Sequence, residues 1–79
     1  MAISSAEAES LKIRAELMNV IKQYIKKHRL TQAQAAQQLR IDQARASKLM
    51  SGHLELFSID RLVKMLVTIG LHVEFNIAA

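Results

Sequence analysis

The chain has 79 residues, no cysteine, no proline and two glycines, and 51% of its residues are hydrophobic. A chain of this length forms one domain and buries only about 60–65% of its unfolded surface, a size at which association with a second copy is a common source of added stability. Without cysteine it has neither disulfides nor thiolate metal sites, which agrees with a reducing compartment.

The formal net charge is +4, but it is unevenly placed. Between Lys22 and Lys48 lie Lys22, Lys26, Lys27, Arg29, Arg40, Arg45 and Lys48, opposed only by Asp42, and outside that window acids outnumber bases. A basic centre of this kind is the electrostatic footprint expected of a phosphate-binding surface. The start, Met1-Ala2-Ile3-Ser4-Ser5, has no basic segment followed by an apolar run, so no export signal is expected. The most apolar stretch, 59–77, carries Asp60, Arg61, Lys64 and Glu74, which argues against a membrane span. The expected location is the cytoplasm.

In chain order, the first helix starts at Ser4, where Ser4-x-x-Glu7 fits a capping box, with Ser10 as a second possible start. Its strongest part is 11–28, where Leu17, Val20, Ile21, Tyr24 and Ile25 recur at three and four and predict one apolar face. Lys26, Lys27, His28 and Arg29 put positive charge at its C-terminus, where the helix dipole favours it.

A second helix is expected over 32–39, with Thr31 as N-cap and Gln34 as capping-box partner. Leu30 before the cap is placed to pack on Ala35. Ala35, Ala36 and Leu39 form its inner face, and the two alanines let another helix approach closely. After a short turn at Arg40-Ile41, Asp42 caps a third helix over 43–50, with Ala46, Leu49 and Met50 expected to face inward and Gly52 suited to a left-handed terminus.

Residues 53–57 read as a loop with Leu54, Leu56 and Phe57 available for packing. Ser58 caps a fourth helix over 59–69 whose stripe is Ile59, Leu62, Val63, Leu66 and Ile69, and Gly70 closes it. The period then changes to two. Leu71, Val73, Phe75 and Ile77 alternate with His72, Glu74 and Asn76, which predicts a C-terminal β-strand over 71–77. No other segment reads as a strand, so the expected partner is the same strand of a second chain, antiparallel across a two-fold axis, the alternative being a tail packed on its own core without strand pairing.

The segment 31–52 has the form of a helix-turn-helix: two short helices, a tight turn, and a small residue, Ala36, where they touch. Ile41 plugs the turn, while Ala46 and Leu49 anchor the second helix. That leaves Gln43, Ala44, Arg45, Ser47 and Lys48 on its outer face and N-terminal end. These are residue types that read base edges: Gln pairs with adenine, Arg or Lys with guanine, and Ala meets a thymine methyl.

The string Leu30-Thr31-Gln32-Ala33-Gln34-Ala35-Ala36 with Leu39, followed by Ile41-Asp42-Gln43-Ala44-Arg45-Ala46-Ser47-Lys48-Leu49-Met50-Ser51-Gly52, resembles the Cro/Xre, lambda-repressor-like helix-turn-helix family. Phe57-Ser58-Ile59-Asp60-Arg61-Leu62-Val63 and the tail Ile69-Gly70-Leu71-His72-Val73-Glu74 are similar to its HigA-like antitoxin branch. The resemblance covers about 11–77. It implies a mainly α, four- to five-helix domain spanning 1–79, with an N-terminal extension over 1–10, the reading unit at 31–52 and a dimerisation strand at 71–77 built from Leu71, Val73, Phe75 and Ile77.

It further implies that Gln32 touches a phosphate beside the helix N-terminus. Gln43, Ala44 and Lys48 face the major groove, and Arg45 and Ser47 flank that face. Arg40 departs from the family, which usually has glycine in this turn. A left-handed Arg there costs about 1 kcal/mol, and in return Arg40 is placed to add a phosphate contact.

The implied activity is a sequence-specific, double-stranded-DNA-binding regulator: a dimeric repressor on an inverted repeat, and on the antitoxin branch one that also binds a small toxin ribonuclease. The alternatives are a protein-interaction module that mainly neutralises a toxin and a stand-alone phage-type regulator. The acidic Glu7, Glu9 and Glu16 suit either a basic toxin or the start of a helix. An enzyme is not expected, nor a cofactor. His28, His53 and His72 have no helical pairing for a metal, and no glycine-rich phosphate loop is present. Three aromatic residues are few for a single-strand stacking platform. Met18, Met50 and Met65 are expected in or beside the core.

Overall fold

A computed structural model describes residues 4–78. Four helices follow in order: α1 (Ser5–Lys27), α2 (Gln32–Leu39), α3 (Gln43–Met50) and α4 (Ile59–Thr68), with a single 3-10 turn at Leu54–Leu56 between the last two. Of the expected N-terminal extension, 1–3 lie outside the described residues, and 5–10 form the first turns of α1.

Each helix begins on the short polar residue expected to cap it. The side chains of Ser4, Thr31, Asp42 and Ser58 accept from the backbone N–H three residues on, at 3.1, 3.1, 2.6 and 3.1 Å. Such caps satisfy donors that the first helical turn leaves unpaired, and each is worth about 1 kcal/mol. At Thr31 the box is complete, because Gln34 Oε1 accepts from the Thr31 N–H at 2.9 Å.

The helix ends share one design. Leu30, Ile41, His53 and Leu71 each donate a backbone N–H to the carbonyl five residues back, at 2.9–3.1 Å. The residue before each of them is left-handed: Arg29 (φ 52°), Arg40 (φ 58°), Gly52 (φ 78°) and Gly70 (φ 88°). This paired closure satisfies carbonyls that the last turn leaves over, and it requires a positive φ. Two of the four positions carry the glycine that suits this conformation, and two carry arginine.

The 23 residues of α1 extend about 35 Å and so set the longest dimension of the molecule, 38 Å. On α1 the buried residues are Leu17, Met18, Ile21 and Ile25. They pack with Ala35, Leu39, Leu49, Phe57, Leu62, Met65 and Leu66 into one core. Val20, expected on this face, is instead 46% exposed, and Tyr24 is half-buried at its edge. At 3.6 residues per turn, Val20 sits roughly 115° from the centre of the buried stripe, whereas Met18 lies within it. Both readings fit the spacing, and the packing of α4 against α1 decides between them.

Two further expectations change. Met50 is exposed (38%), because the stripe that α3 buries is only Ala46 and Leu49. The tail beyond Gly70 forms no strand among the described residues. Its alternating pattern finds no strand to pair with among the described residues. Val73 packs against the core, Leu71 is 37% exposed, and Phe75 and Ile77 are 53% and 93% exposed.

Candidate nucleic-acid interface

The pair α2 and α3 is held by small residues at their crossing. Ala35, Ala36 and Ala46 are buried, so the two backbones approach closely without a void. Ile41 follows the left-handed Arg40 and turns its side chain onto the core, where it is half-buried. The turn is therefore fixed by a backbone closure on one side and an apolar plug on the other.

A polar tie joins the helix starts. Gln32 Nε2 donates to the Gln43 carbonyl at 3.2 Å, so the first residue of α2 is attached to the first residue of α3. The unit is also tied to α1: Tyr24 Oη donates to Gln38 Oε1 at 3.0 Å, and the Tyr24 ring lies 4.3 Å from that of His28. The connection after α3 is anchored by Arg14, whose Nη1 donates to the Leu54 carbonyl at 3.3 Å.

These ties hold α3 with Ala46 and Leu49 turned inward and Gln43, Ala44 and Lys48 exposed. Arg45 and Ser47 are half-buried on the flanks. Gln32 is exposed beside the N-terminus of α2, with one amide hydrogen committed to Gln43 and its carbonyl oxygen still available. The Asp42 carboxylate is engaged by the Arg45 N–H and serves as a cap.

The basic residues line more than one groove. Lys22, Lys26 and Arg29 share a groove with Met50 at the end of α3. Arg40 and Arg45 line a different groove together with Arg61 and Lys64 of α4. Arg40 and Arg45 line that groove together, and Arg45 also lines a groove with Ala44 and Lys48.

One acid near this face was not anticipated. Glu55 is exposed, and its pKa lies below the usual value. The main cause is a hydrogen bond from the backbone, followed by one from the His53 ring at 3.0 Å, with smaller attractions from His53 and Lys48. Glu55 therefore stays ionised within electrostatic reach of Lys48. Its place in the sequence, seven residues beyond Lys48 and past a glycine turn, gave no signal of that proximity.

No group of three metal-ligating side chains occurs among the described residues, and no described helix is long and apolar enough to cross a membrane. None of the curated proteins matches the chain. Comparison with protein families matches residues 2–78 to a helix-turn-helix domain. Nearly the whole chain is covered, and the matched region contains the capped α2, the left-handed turn and the outward-facing α3; the chain belongs to the helix-turn-helix domain family, a class of DNA-binding domain.

Proposed function

We propose that this protein is a sequence-specific, double-stranded-DNA-binding transcriptional regulator that represses by occupying its site as a homodimer. The observation that carries this reading is the exposure of Gln43, Ala44 and Lys48 on a short helix whose start is tied to α2 through Gln32 and Gln43. A rigidly held helix with a small residue between two polar readers suits entry into a major groove. Arg45 and Ser47 flank the contact, and Gln32 with the N-terminus of α2 meets a phosphate. Arg40 serves the backbone only if the duplex extends past the turn.

The dimer reading draws on the tail. Leu71, Phe75 and Ile77 are exposed apolar residues in a segment without regular structure, with Val73 between them packed on the core. Pairing of two tails about a two-fold axis would satisfy their backbone groups and cover their side chains. Two copies of α3 then reach successive major grooves about 34–36 Å apart, on an inverted repeat. Such a regulator works where the genome lies, in the cytoplasm. On the antitoxin reading, the exposed acids Glu7, Glu9 and Glu16 of α1 would meet a small basic toxin ribonuclease.

Selection from random duplexes tests the proposal. An enriched inverted repeat is expected, with affinity falling steeply as salt rises. Absence of enrichment at low salt would remove the sequence-specific reading. Truncation after Gly70 is expected to yield monomers by sedimentation, and an intact dimer would exclude the tail as its seam.

A further inference from the structure

Between the α2–α3 turn and α4 lies a cavity of about 220 Å³. Its apolar wall is Leu39, Ile41, Phe57 and Met65, and its rim is Arg40, Arg45, Arg61 and Lys64. Lys64 is already paired with Asp60 at 3.1 Å. By contrast, the guanidinium groups of Arg40, Arg45 and Arg61 take part in no hydrogen bond or ion pair among the described residues. Three arginines from three elements thus line one largely apolar recess whose lining holds no carboxylate. The guanidinium fork matches a carboxylate in two parallel hydrogen bonds.

We propose that this cavity binds a small amphipathic anion: a carboxylate whose compact aromatic or branched body lies on Phe57 and Met65 while the head group meets Arg40, Arg45 and Arg61. The volume lies below the roughly 300–1,000 Å³ of drug-sized sites, so the ligand is small. A bare phosphate fails to use the apolar wall. Because Arg45 also flanks the exposed face of α3, occupancy would draw its charge away from bound DNA. That consequence rests on the DNA-binding reading; the site itself does not.

The test uses the full chain without DNA. Methyl and amide NMR spectra are followed on addition of 2-naphthoate, of neutral 2-naphthamide and of inorganic phosphate. Saturable shifts centred on Leu39, Ile41 and Met65 are expected with naphthoate, with the amide at least tenfold weaker and phosphate nearly silent. Arg61→Gln, at an exposed position, is expected to weaken naphthoate about five- to tenfold while leaving the urea midpoint unchanged. Equal binding of the amide would overturn the anionic requirement. Shifts of similar size in the Lys22, Lys26 and Arg29 groove would overturn the site, as would naphthoate binding unaffected by Arg61→Gln.

Discussion

Replacing Arg40 by glycine tests the central turn most directly. Arg40 is left-handed, with φ 58° and ψ 44°. A side chain in that region costs about 1–2 kcal/mol through the clash of Cβ with the following carbonyl. Glycine removes the clash but widens the unfolded ensemble, which returns about 0.5–1 kcal/mol. The Arg40 side chain is exposed and makes no hydrogen bond among the described residues, so nothing else is lost. The net expectation is a gain of about 0.5–1 kcal/mol. For a domain of this size that raises Tm by roughly 2–8 °C.

Urea unfolding followed by circular dichroism measures the gain, with the slope m checked for constancy. Arg29→Gly, at the matching position after α1 (φ 52°), is expected to give a gain of similar size. Arg40→Ala keeps Cβ and is expected to give none. A lower midpoint for Arg40→Gly, or equal midpoints for the glycine and alanine variants, would refute the assignment of strain to this position.

Three other outcomes follow from the same geometry. Phe57→Ala removes the largest fully buried side chain and is expected to cost about 3–5 kcal/mol, a large share of the roughly 4–12 kcal/mol available to a chain of this length; urea or thermal unfolding reads it. Gln43→Ala and Lys48→Ala are each expected to relax base preference by about 1–3 kcal/mol, read as discrimination between the selected site and single-base variants, with the fold unchanged by circular dichroism. Glu55→Gln removes the ionised carboxylate near Lys48 and is expected to tighten non-specific duplex binding a few-fold at low salt, by fluorescence anisotropy. Because the Glu55 pKa is lowered on folding, its small contribution to stability is present above the ordinary carboxylate pKa and is lost as pH falls through the depressed value; a carboxyl NMR titration locates that step.

Much of the fold could be read from sequence because its rules act over five residues or fewer. Thr31, Asp42 and Ser58 were identifiable as caps because a cap needs only an oxygen and an N–H three positions on. The ends at Gly52 and Gly70 were legible for a similar reason. The equivalent ends at Arg29 and Arg40 were harder, since nothing in an arginine announces a left-handed backbone. Arg40 was flagged only by comparison with a family that usually has glycine there. On the candidate interface, the exposure of Gln43, Ala44 and Lys48 follows from the burial of Ala46 and Leu49 on the same eight-residue helix.

What the sequence by itself determined, then, is the punctuation of four helices and the pairing of two of them around small residues. The tertiary structure decided which neighbour each surface meets. It chose Met18 over Val20 for the core, because α4 packs on one of two sides that the spacing allows. It left Met50 outside and the alternating tail without a strand partner among the described residues. It also gathered Arg40, Arg45 and Arg61 around one recess and set Glu55 near Lys48. Periodicity describes one element at a time, whereas burial and charge proximity depend on contacts between elements, and those exist only once the chain has closed on itself.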